Sequence, residues 1–424
     1  ERTWPFVPGG CGADRVSSAR DGRPQGAAGP SGPDGTPDPG GPSAGLSREV
    51  RLALVAVAIA RLGINGGIRV VFPFLPAIAR GLGTTLAVMG VLVAARSLVG
   101  TMAPLAASLG ERPGRRAVML GGLAAPAIGS AVIGLAPSVA VAAVGFVLVG
   151  LGKPLFDVPM QGWFGARVPY AKRGRVLGIT ELTWAGGLLA TVPLSGWLIS
   201  RTTWRIQFLP VIVLVVAGLL AVAVLMRNDR PPSRGRTTLA LTRPRVAMLA
   251  VVGLFSFAAE SLFVVYGAWL EADLGFDVGA IGAFTVLVVA AELTGEGGVA
   301  ALGDRIGLHR AVRVALVVST VAYLTLLTVG NSVPLAILAV VIWFVGYEVS
   351  IVASVPLVTE LGGDGRDRLL GLMVGVLAGG RAVGALVAPQ LFALGGIGAM
   401  AVVSAVSVAV AAVLMATLVP VPRR

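Results

Sequence analysis

The sequence predicts an all-α membrane protein of twelve transmembrane helices, arranged as two parallel six-helix bundles. Three observations predict it. The 424 residues are 55% hydrophobic and only 13% charged, whereas soluble proteins average about 25% charged. Apolar stretches repeatedly approach the roughly 20 residues that span a bilayer, and a set of local matches recurs at a single offset of 193 residues. With a mean hydropathy of +0.86, most of the chain needs a non-aqueous solvent, which excludes a soluble enzyme, a disordered chain and a secreted disulfide scaffold. One cysteine, Cys11, and one histidine, His309, leave no material for a disulfide, a metal centre or a hydrolytic triad. No enzyme activity, metal or cofactor is expected.

Residues 1–46 hold 11 Gly and 8 Pro and no apolar run, so they are expected to form a disordered cytoplasmic tail. The first half, 47–226, contains six spans. Span 1 (51–78) carries Arg61 and Arg69, and span 2 (85–109) carries Arg96. Span 3 (117–136) is uncharged, span 4 (138–162) carries Lys153 and Asp157, span 5 (176–199) carries Glu181, and span 6 (206–226) is uncharged. A polar linker, 227–244, contains Pro231, Pro232 and five arginines. The second half, 245–424, continues the pattern. Apart from Glu271, Arg313 and Glu360 at span ends, span 7 (246–271) carries Glu260, span 8 (279–303) Glu292 and Glu296, span 9 (312–330) nothing, span 10 (333–360) Glu348, span 11 (369–394) Arg381, and span 12 (398–420) nothing. The segments are too long for barrel strands and lack their period-two alternation.

Orientation follows from the basic residues between spans. With the N-terminus inside, 22 Lys and Arg fall in the inner connections and flanks, against Arg80, Arg201 and Arg205 outside. Basic residues are retained on the cytoplasmic side, so both termini are expected there, in the plasma membrane. The net charge of +13 thus reflects topology, and no nucleic-acid partner is implied.

The repeat is specific. Arg173-Gly174-Arg175-Val176-Leu177-Gly178 returns as Arg366-Asp367-Arg368-Leu369-Leu370-Gly371; Ala185-Gly186-Gly187 returns as Ala378-Gly379-Gly380; and Glu111-Arg112 with Gly114 returns as Asp304-Arg305 with Gly307. Two parallel halves related by an axis along the membrane normal are a transporter architecture. The loop after span 2, with Glu111-Arg112-Pro113-Gly114-Arg115-Arg116, resembles the Gly-x-x-x-Asp-Arg-x-Gly-Arg-Lys/Arg motif of the major facilitator superfamily, with Glu for Asp and Ala107 for the leading Gly. In span 5, Gly178, Gly187, Pro193 and Gly196 partly match the Gly/Pro pattern of the family's drug/proton antiporters. Trp204-Arg205-Ile206-Gln207-Phe208 resembles the Trp-Arg-x-x-Phe that opens span 6 in those exporters. Phe146 stands where the antiporters' span 4 arginine belongs.

The resemblance implies that spans 1, 4, 7 and 10 surround a central path, with 2, 5, 8 and 11 beside them. The eleven intramembrane charges fall in those eight spans, and each needs a partner or a cavity. Arg61, Asn65 and Arg69 share one face of span 1, four residues apart. With Arg96 and Arg381 they are the substrate-path candidates, the alternative being buried structural pairing of Arg61 and Arg69 with Asp157 or Glu181. Two carboxylates four residues apart, Glu292 and Glu296, do not both ionise cheaply in low dielectric. With Glu260 and Glu348 they are the proton-coupling candidates.

In the family, the basic loop pairs with a span 4 carboxylate and helps to close the cytoplasmic side. Glu111, Arg112, Gly114, Arg115, Arg116, Asp157, Glu181, Asp304, Arg305 and Gly307 are therefore the expected cytoplasmic gate. Gly186, Gly187, Gly379 and Gly380 are expected to pack helices at the moving interface between halves.

The expected function is secondary active transport of a small-molecule solute by a monomer in the lipid bilayer. The chain lacks a phosphate-binding loop of the Gly-x-x-x-x-Gly-Lys-Ser/Thr type, so a proton gradient is the expected energy source. Export of small organic or drug-like solutes is favoured. The alternatives are a proton symporter or facilitator for a sugar or organic acid, and a non-transporting membrane sensor of the same fold. Two lysines among 34 basic residues, with abundant Ala, Gly, Val and Arg, fit a GC-rich bacterial gene.

Overall fold

The computed structural model describes residues 46–102, 114–227, 229, 240–329 and 332–421. The Gly/Pro-rich segment before them, Glu111 and Arg112 of the expected gate, and most of the linker lie outside the described residues. Among these, every regular element is a helix. Ten helices are long and apolar enough to cross a membrane. One of them, Arg368–Leu418, would be about 77 Å long if straight. It holds two spans, parted by non-helical backbone at Gly395 and Gly396, the latter at φ 58°. Span 2 is the shorter helix Leu86–Leu98, prolonged by the 3-10 turn Val99–Met102. The twelve expected crossings are thus all present.

Local sequence explains where they begin and break. Ser47, Thr85, Ser138 and Asp277 cap spans 1, 2, 4 and 8 by accepting hydrogen bonds from the backbone three residues on. Such caps satisfy otherwise orphaned amides. Span 1 is two helices, Arg48–Arg69 and Val71–Gly81. Pro73, lacking an N–H, withdraws the bond that the Arg69 carbonyl would receive. Span 5 divides likewise into Tyr170–Glu181 and Thr183–Ile199. Gly114 (φ 89°) precedes span 3 and Gly307 (φ 84°) precedes span 9. The repeated motif therefore places a glycine, at the repeat offset, where the backbone is left-handed and a Cβ is strained.

The packing repeats as the sequence does. In the first half, span 3 lies on spans 4 and 6, and span 1 on spans 5 and 6; in the second half, span 9 lies on spans 10 and 12, and span 7 on the helix of spans 11 and 12. Between halves, span 5 meets span 8, span 2 meets span 11, and Val71–Gly81 meets span 7. Spans 6 and 9 bury the smallest shares among the nine single-span helices long enough to cross a membrane, and Val213, Leu220, Val224, Val314 and Val317 point outward. Span 7 is the most buried.

The halves touch most closely on the face opposite Arg48 and Leu418. A Cβ on Gly267 would strike the Pro73 carbonyl, one on Gly90 the Ala385 carbonyl, and one on Gly196 would come within 2.9 Å of the Gly282 Cα. Arg80 and Glu271 pair at 2.8 Å on the same face. The glycine pairs of the repeat are placed differently from expectation. Gly186 and Gly187 lie against Leu62 and Gly66 of span 1, Gly380 lies against the Gly253 carbonyl of span 7, and Gly379 has open space before it. Their packing is within each half, because spans 5 and 11 turn that face to their own bundle; the seam between halves uses other glycines.

Candidate functional site

Nine of the eleven intramembrane charges gather into three groups, one within the N-terminal half and two that cross between halves. The first belongs to the N-terminal half. Arg61, 1% exposed, donates to Asp157 at 3.0 Å, to Glu181 at 3.2 Å and to the Thr183 hydroxyl at 3.0 Å. Lys153 completes it, 2.8 Å from Asp157 and 3.3 Å from the Asn65 carbonyl oxygen. Two cations and two carboxylates therefore form a balanced cluster across spans 1, 4 and 5. The side chains of Lys153 and Glu181 are 36% and 58% exposed, so water reaches the cluster from the side of the chain's described ends.

The second group crosses between halves. Arg69 of span 1 clasps Glu292 of span 8 with both terminal nitrogens, and both side chains are buried. Its guanidinium also lies 4.7 Å over the Trp184 ring, which Lys153 approaches at 5.2 Å from its centroid. A two-pronged Arg–carboxylate contact fixes orientation as well as distance, and here it ties one half to the other.

The third group joins spans 2, 7 and 11. Glu260 of span 7 sits between Arg96 at 3.8 Å and Arg381 at 3.7 Å. Arg96 donates to the Ile68 carbonyl at 2.7 Å and stacks over Phe72 at 4.8 Å. Arg381 donates to the Tyr347 hydroxyl at 2.6 Å. Phe72 in turn meets Phe263 of the other half, ring centres 5.4 Å apart.

Glu348 and Glu296 stand apart from these pairs. Among the described residues neither has a cation within ion-pair distance. Glu348 is 2% exposed, and its Oε1 is buried without a hydrogen-bond partner. Glu296 is half-buried. The two are brought together at Gly295, where an added Cβ would lie 2.8 Å from the Glu348 Cβ.

The expected gate residues take other positions. Asp157 and Glu181 turn onto Arg61, the arrangement that sequence had left as an alternative. Arg115 instead binds Asp229 of the linker at 2.7 Å, and Arg167 joins it at 2.8 Å. Arg116 donates to the Ala223 carbonyl. Arg305 is exposed beside Gly307, and the side chain of Asp304 lies outside the described residues. Thr183, Tyr347 and Asp229 were missed by sequence reasoning. Asp229 had a signal: it is the one acid in an arginine-rich linker.

Comparison with known proteins agrees with this architecture. The profile of the Major Facilitator Superfamily matches residues 55–252. An uncharacterized MFS-type transporter of Bacillus subtilis, YwfA, is 26% identical over 298 residues, covering 65% of this chain and 69% of that one. A multidrug resistance protein B homolog of Mycobacterium tuberculosis is 28% identical over 134 residues, 31% of this chain and 25% of that protein. The chain matches about a third or less of the length of the mycobacterial relatives. The crystal structure of a D-xylose-proton symporter superposes with a TM-score of 0.70 at 14% identity, covering 88% of this chain and 98% of that one; it shares the fold.

Proposed function

The chain belongs to the major facilitator superfamily and is a membrane transporter, and we propose that it exports small organic or drug-like solutes by alternating access, driven by protons. It sits in the plasma membrane with both ends inside and works as a monomer. The observation that carries this reading is the placement of charge between the halves. Arg69–Glu292 and Arg96–Glu260–Arg381 each join one half to the other, while Glu296 and Glu348 have no cation within ion-pair distance among the described residues.

Breaking a buried pair by removing one partner costs about 3–5 kcal/mol. A proton delivered to Glu292 or Glu260 removes one partner's charge, so it would loosen one seam and favour separation of the halves on the closed face. Glu296, on the same span as Glu292, and Glu348, on the adjoining span, would receive and pass that proton. Export over import is supported by the span 5 glycines and the Trp204–Phe208 motif, and by the multidrug resistance relative.

The test is flux in proteoliposomes under an imposed pH gradient, with a panel of cationic, anionic and neutral solutes. Solute accumulation against its gradient is expected, collapsing with a protonophore. Glu260→Gln, Glu292→Gln, Glu296→Gln and Glu348→Gln variants are expected to uncouple flux from pH. Wild-type coupling in all four would end the proposal.

A further inference from the structure

We propose that Glu296 and Glu348 form a recognition site for an organic cation, so that the transported solute carries a positive charge. This rests on the gap between the halves being the transport path.

The charge inventory of the membrane interior is the first argument. Its five cations all have carboxylate partners: Arg61 with Asp157 and Glu181, Lys153 with Asp157, Arg69 with Glu292, and Arg96 and Arg381 sharing Glu260. Of its six carboxylates, Glu296 and Glu348 are the two left without a cation within ion-pair distance among the described residues. An anionic solute would have to take a guanidinium or ammonium away from an existing partner. A cationic solute has two carboxylates waiting, and a buried charge needs a counter-charge.

Geometry is the second argument. The two residues come from adjoining spans, at the place where Gly295, next to Glu296, lets span 10 and Glu348 approach span 8. Glu348 is the deep member, with an Oε1 that no donor reaches, and Glu296 is the accessible one. The charged groups within electrostatic reach of Glu296 are Glu292, Glu181 and Arg69; those around Glu348 are Glu292, Arg69, Glu296 and Arg381. Arg69 is held by Glu292 and Arg381 by Glu260 and Tyr347, so neither nearby cation serves as a counter-ion to the two carboxylates.

Equilibrium binding to the purified full chain tests this without requiring flux. Tetraphenylphosphonium and tetraphenylborate share a shape and differ in sign, so their binding is compared. The phosphonium is expected to bind more tightly, and Glu296→Gln or Glu348→Gln to weaken it at least about tenfold, the factor for one charge-assisted contact. Glu296→Asp, which keeps the charge, is expected to keep the preference, separating recognition from misfolding. Tighter or equal binding of the borate, or phosphonium binding unchanged in both Gln variants, would overturn the proposal. Phosphonium binding that persists where no solute responds to a pH gradient would count against proton coupling alone. Proton-driven flux confined to neutral or anionic solutes would overturn the cation site alone.

Discussion

At the scale of single residues, the Arg69–Glu292 pair makes the sharpest prediction. Both side chains are buried, so Glu292→Gln strands a guanidinium that lacks a second carboxylate within ion-pair distance. Destabilisation of about 3–5 kcal/mol is expected, read as a lower unfolding temperature in detergent. Replacing both partners, Arg69→Met with Glu292→Leu, is expected to recover most of that stability while abolishing transport. Stability unchanged by the single substitution would mean that the pair is not held as described. Which residues carry charge inside the membrane was legible in the sequence, because an arginine or glutamate within an apolar span announces itself. Which charge meets which was not. Arg61 and Arg69 lie on one face of span 1, yet Arg61 turns to spans 4 and 5 and Arg69 to span 8, a difference set by how the halves dock. Likewise the arginines of the motif loop could have reached Asp157 by sequence alone; Asp229, nearer to Arg115 in space, takes that role.

Among elements, spans were legible and their interruptions less so. Hydropathy marks an apolar stretch but not the break at Val70, where Pro73 leaves the Arg69 carbonyl without its helical donor; the join of spans 11 and 12 was legible, since the expected boundary between 394 and 398 falls at Gly395 and Gly396, where the helix is parted. The repeated glycine of the motif is explained by its backbone: Gly307 has φ 84°, a region that costs other residues about 1–3 kcal/mol. Gly307→Ala is expected to destabilise within that range, measurable by thermal unfolding, whereas Gly297→Ala, with open space before it, is expected to be near neutral. The seam glycines act on a different quantity. A side chain on Gly267 must displace Pro73 of the other half, so Gly267→Val is expected to favour opening of that face. A cysteine replacing Phe263, one turn away, should then react faster with a membrane-impermeant maleimide added from that side. An unchanged rate would show that the seam yields without opening.

For the whole molecule, the balance between conformations depends on how strongly each inter-half contact holds, and these contacts differ by location. Arg80–Glu271 lies on the surface, its side chains 59% and 33% exposed, and such pairs contribute about 0–1 kcal/mol. Arg69–Glu292 and the Glu260 group are buried, so losing both partners of either removes an attraction between halves that water does not screen. Spin labels at Leu135 of the first half and Asp273 of the second, both exposed, would report the separation of the closed face by pulsed electron resonance. Arg80→Gln is expected to raise the separated population by at most about fivefold, with the difference from wild type shrinking at high salt. Arg69→Gln with Glu292→Gln is expected to raise it further and without salt dependence. If the surface pair dominates instead, the closed face is held by a latch at its rim. If the buried pair dominates, it is held from the centre, where the proposed proton or cation at Glu296 and Glu348 would act on the charges that join the halves.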